Sequence, residues 1–320
     1  LGHSGEYAPD EVIDLIDAIG TVTKRSGDDI AAARKAYDSL TDEEKKQVTN
    51  YRTLLAAEKA YADILRNAAK KLGDIYKTTG DYIEKLPGDE LNAFGSEWYI
   101  LGLARSGRKV SDDYYKAIEK YVSENIDENG RLDEKRATDN AKLVLVLSAL
   151  GRDVTDVGGH DLLQVLSDMD YVTQQGLSGA IYTLLAFDCR GYGIPAADKN
   201  AVQTSREGLV KYILDKQLKD GGWAYSGDKA EPDMTAMALQ ALAAYYKTDA
   251  KVKDAVDKAV ICLSKLQNTT GGYDSYGSVN SESAAQVITA LTALGIDPDN
   301  DARFVKNGAS VLDSLCGFYV

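Results

Sequence analysis

Apolar residues recur at helical spacing in two short segments near the start of the chain, over residues 12–19 and 30–40. Spacings of three and four place such residues on one face of a helix. A third helix is predicted to begin at Thr41, because Thr41 and Glu44 have the spacing of a capping box, in which a hydroxyl and a carboxylate each accept a backbone N–H. Together with the apolar segment that follows, these helices predict a small helical bundle over residues 9–65.

From residue 66 onward, helices that are apolar on nearly all sides alternate with helices that are apolar on one face. A helix that is apolar all round is packed on most of its circumference, whereas a one-sided helix is half exposed. This alternation predicts a ring of helical hairpins, in which the apolar helices form an inner barrel and the amphipathic helices surround it. The apolar runs cover residues 96–105, 138–150, 176–187, 233–246 and 281–294. The amphipathic runs cover residues 70–86, 112–124, 160–167, 204–217, 252–266 and 303–315.

The composition favours helices and argues against two classes of protein. Five prolines in 320 residues leave long windows for uninterrupted helices. Fifty acidic against 37 basic side chains give a net charge of −13, which repels phosphate backbones, so we predict no nucleic-acid partner. The apolar stretches are far shorter than the about 20 residues that cross a bilayer, so we predict no transmembrane segment. Residues 1–8 lack helical periodicity and are interpreted as a tag or linker remnant.

A short motif repeats at a separation of fifty residues within this second region. In each copy an amphipathic helix ends in a glutamine, two glycines follow, and an aromatic residue comes directly after them. The glycines permit a tight reversal with positive φ; the aromatic ring is expected to pack over the glutamine, whose amide can tie the turn to neighbouring backbone. The two copies are Gln217, Gly221, Gly222 and Trp223, and Gln267, Gly271, Gly272 and Tyr273, with a weaker echo over residues 127–132.

This motif resembles the glutamine–tryptophan repeats of squalene and oxidosqualene cyclases and of protein prenyltransferase β-subunits. The resemblance covers residues 66–320 and implies an all-α fold of the α/α toroid type with six hairpins. Vitamin B12 carriers and the complement thioester domain share that architecture, so the fold alone does not determine function. We count six outer helices and five inner ones, so the last inner helix is predicted to be missing, with the gap empty or filled by the N-terminal bundle or by a neighbouring molecule.

Residues 36–50 resemble the three-helix spacer modules of Gram-positive bacterial surface proteins. The resemblance implies an exported bacterial protein, extracellular or attached to the cell wall, whose leader and anchor have been removed. Two alternatives stay open. Residues 9–65 could be a helical cap that belongs to the next domain only, and the chain could reside in the cytoplasm.

Acidic residues near the starts of the inner helices are the catalytic candidates. The cyclases that the repeat resembles begin their reaction at an Asp-x-Asp-Asp cluster, because protonating an alkene requires a carboxylic acid kept protonated in an apolar cavity. The matching place here reads Glu231-Pro232-Asp233, which retains a single aspartate. We therefore take Asp233, Glu231 and Glu282 as catalytic candidates, and weigh against them the interpretation that Asp233 only caps its helix.

We predict no metal and no cofactor. The prenyltransferases bind zinc through aspartate, cysteine and histidine; Asp188 and Cys189 offer two of these ligand types, but no histidine follows them. None of the three cysteines has the neighbouring glutamine of a complement-type thioester. Cys189, Cys262 and Cys316 lie in apolar runs and are predicted to be buried as small hydrophobic residues.

Aromatic and acidic residues near the starts of the inner helices are predicted to form a ligand site at the mouth of the ring. Aromatic faces beside carboxylates suit a small molecule, a glycan or a protein. We therefore expect a non-enzymatic toroid that binds a ligand or partner. An enzyme on the same fold, either a degenerate terpene cyclase or a carbohydrate hydrolase or lyase with paired carboxylates, is the first alternative, and a structural stalk is the second. The predicted ligand-binding residues are Trp98, Glu97, Asp139, Tyr182, Trp223, Tyr225, Asp233, Tyr273, Tyr276 and Glu282.

Overall fold

The computed structural model describes residues 6–275 and 277–320. Over these residues the chain forms 15 α-helices and four strands of two residues each, so the prediction of an all-α protein is confirmed. None of the described helices is both long and apolar enough to cross a membrane. The contacts within the chain divide it into one unit that ends at Lys77 and a second that begins at Thr78.

The first unit is built on an apolar core between short helices. Its helices are α1 (Pro9–Ala18), α2 (Gly27–Asp38), α3 (Asp42–Lys45) and α4 (Tyr51–Ile83), of which α4 continues into the second unit. The helices α1 and α2 pack against each other. Their contact buries the side chains that the apolar spacing of the sequence places on one face, and α4 adds two more. These core residues are Val12, Ile16, Ile30, Ala33, Leu54 and Ala57.

The capping box that predicts the third helix is present. The Thr41 hydroxyl accepts the backbone N–H of Glu44, and the Glu44 carboxylate accepts the backbone N–H of Thr41 at 2.9 Å. The helix that follows is only one turn long. Beyond it, the Asn50 amide donates to the backbone carbonyl of Ile13 at 3.0 Å and to Asp17 at 2.8 Å.

A cluster of charged and aromatic side chains joins α2 to the start of α4. The guanidinium of Arg34 donates to both carboxylate oxygens of Glu58, at 2.6 and 2.8 Å. The rings of Tyr37 and Tyr51 stack with their centroids 4.1 Å apart. Both rings lie about 5.5 Å from the Arg34 guanidinium carbon, so one arginine makes an ion pair and two cation–π contacts.

Residues 51–83 form one continuous helix where the sequence predicts a helix through Tyr61 and a separate one over residues 70–86. No proline interrupts the segment, and its two glycines, Gly73 and Gly80, lower helix stability without ending the helix. The prediction of two helices was therefore wrong.

The second unit contains helices from α5 to α15, joined by turns and by two short hairpins. These helices are α5 (Gly88–Leu91), α6 (Glu97–Arg105), α7 (Asp112–Asn125), α8 (Ala137–Ala149), α9 (Met169–Gln174), α10 (Leu177–Asp188), α11 (Arg206–Asp215), α12 (Pro232–Leu242), α13 (Ala250–Leu266), α14 (Ser281–Ala293) and α15 (Val311–Cys316). The 3-10 turns are Val165–Ser167, Ala243–Tyr245 and Ala302–Phe304. The strands pair as β1 (Asp274–Ser275) with β2 (Ser278–Val279) and β3 (Val305–Lys306) with β4 (Ala309–Ser310).

The five apolar runs of the sequence are the helices α6, α8, α10, α12 and α14. In this order each one packs against the next, and each contributes side chains to one continuous hydrophobic core. On α8, for example, Leu143, Val144, Val146 and Leu147 are all fully buried. Because α8 and α10 are surrounded by protein on nearly all sides, their sequences lack the one-sided pattern of an amphipathic helix. The helices α6 and α14 instead bury one face and leave Trp98 and Glu282, among others, exposed.

Of the predicted amphipathic runs in this unit, α7, α11 and α13 are helices, the run over 160–167 is not an α-helix, and the run over 303–315 is α-helical only in its last part, α15. Residues 160–167 form turns and a 3-10 helix, because the Asp161 carboxylate accepts the backbone N–H of Leu163 at 2.8 Å and competes with a regular helix. Residues 303–315 are interrupted by the hairpin of β3 and β4, whose turn is Asn307-Gly308 with positive φ at both residues. Asn-Gly is a strong signal for such a turn, and the sequence interpretation overlooked it.

Four of the five buried helices end in the same glycine turn. In each, a glycine with positive φ follows the helix and the next residue donates its backbone N–H to the carbonyl five residues earlier, which is the Schellman ending. The helix α12 instead runs into the 3-10 turn Ala243–Tyr245. The four glycines are Gly107, Gly151, Gly191 and Gly295, and the donors after them are Arg108, Arg152, Tyr192 and Ile296.

Candidate ligand-binding cavity

The five buried helices α6, α8, α10, α12 and α14 all contribute to one cavity of about 940 Å³. A volume of this size is in the range of small-molecule sites. Apolar side chains make up most of its wall, and a few polar groups lie among them. The lining residues that matter below are Trp98, Leu101, Arg105, Leu145, Ser148, Ala149, Ile181, Tyr182, Leu185, Cys189, Arg190, Met237, Gln240, Glu282, Ala285, Gln286 and Thr289.

Two aromatic rings face each other in this wall. The rings of Trp98 on α6 and Tyr182 on α10 have centroids 6.0 Å apart and planes inclined by 44°. Trp98 is 48% exposed, whereas Tyr182 is almost buried. Burial raises the pKa of Tyr182 to about 12, so its phenol is neutral at physiological pH and serves as an apolar wall with a polar tip.

Polar groups cluster at the carboxyl ends of α8 and α10. The Arg190 guanidinium donates to the backbone carbonyl of Ser148 at 3.2 and 2.7 Å, and the Ser148 hydroxyl lies 2.8 Å from that of Tyr192. Cys189 lies beside Arg190 and is exposed, so its predicted burial was wrong. Partial desolvation raises the pKa of the Cys189 thiol, which leaves it protonated and a poor nucleophile at neutral pH.

A pair of glutamines connects α12 to α14 at the cavity wall. The side-chain amide of Gln240 donates to the side-chain oxygen of Gln286 at 2.7 Å. On the same side of α14, the lining residues Glu282, Ala285 and Thr289 are exposed, and so the cavity opens to solvent along this helix.

Three of the predicted ligand-binding residues line the cavity, namely Trp98, Tyr182 and Glu282. Glu97 and Asp139 do not. Glu97 is buried and accepts the backbone N–H of Gly95 at 2.7 Å. Asp139 is paired with Arg136 at 3.0 Å, and burial raises the pKa of its carboxyl despite that arginine.

Trp223 and Tyr273 are fully buried and do not reach the cavity. The Trp223 indole N–H donates to the backbone carbonyl of Ile213 at 2.7 Å. Tyr225 lies on the surface, 71% exposed. The predicted ligand residue Tyr276 lies outside the described residues.

The three catalytic candidates are not gathered at one place. Glu282 lines the cavity, but Glu231 and Asp233 do not. Glu231 accepts the backbone N–H of Tyr225 at 3.0 Å. Asp233 accepts the Ser275 hydroxyl at 2.9 Å and makes no capping bond to α12, so the interpretation of Asp233 as a helix cap was wrong.

The two repeat turns share one pattern of hydrogen bonds. The amide of Gln217 donates to the carbonyls of Gly221 and Ala255, at 2.7 and 2.8 Å. In the second copy, the amide of Gln267 donates to the carbonyls of Gly271 and Phe304, at 2.9 and 2.8 Å. Each glutamine thereby fixes its own turn and holds a neighbouring segment against it.

The weaker echo over residues 127–132 makes the same backbone turn without the glutamine. Asp127 donates to the carbonyl of Arg131 at 2.9 Å, and Gly130 donates back to Asp127 at 3.0 Å. The buried Asn140 on α8 supplies the side-chain amide, which donates to the Gly130 carbonyl at 2.9 Å.

The sequence interpretation missed Arg105, Arg190, Met237, Gln240 and Gln286 as cavity residues. A signal was present for Trp98, Leu101 and Arg105, whose spacing of three and four places them on one face of α6. The glutamines Gln240 and Gln286 are polar residues inside apolar helices, a second signal that the aromatic and acidic candidates did not include. Within the described part of the chain, no group of three or more His, Cys, Asp or Glu side chains could hold a metal ion.

Comparisons of the chain with protein families, with curated proteins and with solved structures find no match.

Proposed function

We propose that the second unit is an α/α toroid whose centre is the cavity, and that it binds an organic ligand there without chemical conversion. The observation that carries the proposal is a cavity of about 940 Å³ to which all five buried helices contribute. The order of packing supports the toroid, because each buried helix contacts the next one along the chain, and α11, α13 and α15 each contact the buried helix that precedes them.

The chemistry of the wall supports binding over catalysis. Of the described residues that line the cavity, Glu282 alone is a carboxylate, whereas glycoside hydrolysis by paired carboxylates requires two across a groove. The Asp233 carboxylate, the candidate acid of a cyclase, accepts a hydroxyl outside the cavity wall.

For the chain as a whole, we propose an exported bacterial surface protein in which the first unit is a helical spacer. The small bundle with its Thr41 capping box and the resemblance of residues 36–50 to surface-protein modules support this.

Binding can be tested with N-phenyl-1-naphthylamine, a neutral aromatic probe whose fluorescence rises in apolar surroundings. We expect the full chain to bind it. Ala285→Trp should weaken binding by about 10-fold or more, because the exposed Ala285 borders the cavity and an indole there fills part of it. Ala293→Trp, on the same helix but outside the cavity lining, is the matched control and should bind as the parent does. Equal binding by all three proteins, or none by the parent, would show that the cavity is not the site.

A further inference from the structure

The carboxyl ends of three buried helices meet at one part of the cavity wall. Arg105 is the last residue of α6, and Arg190 follows the end of α10. Arg190 bonds to Ser148 near the end of α8. A second hollow of about 240 Å³ is lined by Ala104 of α6 and by Ala149, which also lines the main cavity, so the ends of α6 and α8 are adjacent too.

The cavity wall is positively charged where these helices end, although the net charge of the whole chain is −13. Arg105 and Arg190 both line the cavity. Arg190 is partly engaged by the Ser148 carbonyl. Arg105 makes no ion pair and no hydrogen bond with any residue in the described part of the chain. The carboxylate of the lining residue Glu282 accepts the Ser281 hydroxyl at 2.9 Å. Among the described residues it forms no ion pair with Arg105 or Arg190.

The wall that continues from Arg105 is apolar. Trp98, Leu101 and Arg105 share one face of α6, and the rise of a helix places Trp98 about 10 Å from Arg105 along its axis. Tyr182 and Met237 extend this apolar wall on α10 and α12. A ligand that contacts both parts therefore has an apolar body of about this length with its charged group at one end.

We propose that the cavity selects an amphiphile with a single anionic group, such as a long-chain carboxylate, whose head binds Arg105 and whose body lies along Trp98, Tyr182 and Met237. This inference rests on the proposed function. A carboxylate pairs with a guanidinium through charge-assisted hydrogen bonds, and Arg105 has its donors free for them. A ligand with the same apolar body and an alcohol head lacks the charge that pairs with the guanidinium. A ligand with an ammonium head is repelled by the positive charges of Arg105 and Arg190.

The test is displacement of N-phenyl-1-naphthylamine from the full chain by dodecanoate, dodecanol and dodecyltrimethylammonium, each below its aggregation concentration. We expect dodecanoate to displace the probe at a concentration about 10-fold lower than dodecanol does, because a hydrogen bond to a charged group exceeds one between neutral groups. Dodecyltrimethylammonium should be the weakest of the three.

The variant Arg105→Gln removes the charge and keeps a side chain of similar reach. It should bring dodecanoate to within about 2-fold of dodecanol while binding of the neutral probe stays unchanged. The control is Arg52→Gln, an exposed arginine of the first unit, which changes net charge equally and should keep the preference for dodecanoate.

The outcomes separate this inference from the proposed function. Probe binding with no preference for dodecanoate, a preference that survives Arg105→Gln, or a preference for the ammonium head would each overturn the inference and leave the cavity as a ligand site. Absence of probe binding to the parent protein would overturn the proposed function and the inference together.

Discussion

At the scale of single residues, the second glycine of each repeat turn is required by the space around it. A Cβ at Gly222 would lie 2.5 Å from the Cβ of Ala230 and 2.6 Å from the Thr235 hydroxyl. At Gly272 it would lie 2.6 Å from Ser314 and from Val279. The first glycine has a further role, since Gly221 has a φ of 94°, which side chains rarely adopt. The first glycine of each turn is therefore required by its backbone conformation and by contact, since a Cβ at Gly221 would also lie 2.9 Å from the Lys258 carbonyl oxygen, whereas the second is required by contact.

Gly222→Ala should lower the free energy of unfolding by about 1–3 kcal/mol, because the added methyl group overpacks a site closed by Ala230 and Thr235. Thermal and denaturant unfolding measure this. The control is Gly102→Ala on the exposed side of α6, where a Cβ meets nothing within 4 Å and the better helix former should stabilise by about 0.5–1 kcal/mol. Equal effects of the two substitutions would contradict the contact argument.

At the scale of elements, a side-chain cap fixes where the longest helix of the second unit starts. Asp249 accepts the backbone N–H groups of Lys251 and Val252 at 2.8 and 3.1 Å, at the first turn of α13. This helix buries Val252, Val256, Ala259 and Leu263 against the core. Its position therefore determines where the Gln267 turn begins.

Asp249→Ala should cost about 1 kcal/mol of stability, the usual contribution of an N-cap. Asp254→Ala on the exposed face of the same helix removes only the ion pair with Lys258 and should cost less than about 0.5 kcal/mol. Both are measured as the change in the midpoint of chemical denaturation. If Asp254→Ala proves the more damaging of the two, the start of α13 is not set by its cap.

The sequence predicts well those elements whose structure depends on residues close to one another in the chain. The apolar runs of α8 and α10 and the capping box at Thr41 belong to this class. The hairpin at Asn307-Gly308 was missed although its turn signal is local. The cavity residues could not be found this way, because Arg105 and Arg190 come together only when the ends of α6, α8 and α10 meet. Aromatic residues at helix starts were a poor guide, since Trp223 and Tyr273 belong to the buried core.

At the scale of the whole molecule, the three thiols sit in different surroundings and report on different parts of the fold. Cys189 is exposed at the cavity, Cys262 is buried on α13, and Cys316 is intermediate at the end of α15. Desolvation raises the pKa of both Cys189 and Cys262, the latter to about 11. Thiol chemistry can therefore distinguish cavity from core in the native chain.

A disulfide reagent should modify Cys189 faster than Cys262, and the variant Cys189→Ser should lose the fast phase. Because the thiolate reacts and the Cys189 pKa is raised, the rate should be low at neutral pH and increase as pH rises. Saturation with N-phenyl-1-naphthylamine should slow the phase. A rate that bound probe leaves unchanged would place the probe away from Cys189.

The repeated glycine ending of the buried helices has a consequence for how such a protein can diversify. The reversal is complete within the glycine and its successor, so the helix does not depend on what comes next. After Gly107, residues 108–111 lead into α7, whereas after Gly151 residues 152–168 form an irregular excursion before α9. Loops of unequal length thus follow the same type of helix ending. Insertions, deletions and exchanges in these loops can therefore change the surface beside the helix ends without altering the helices themselves.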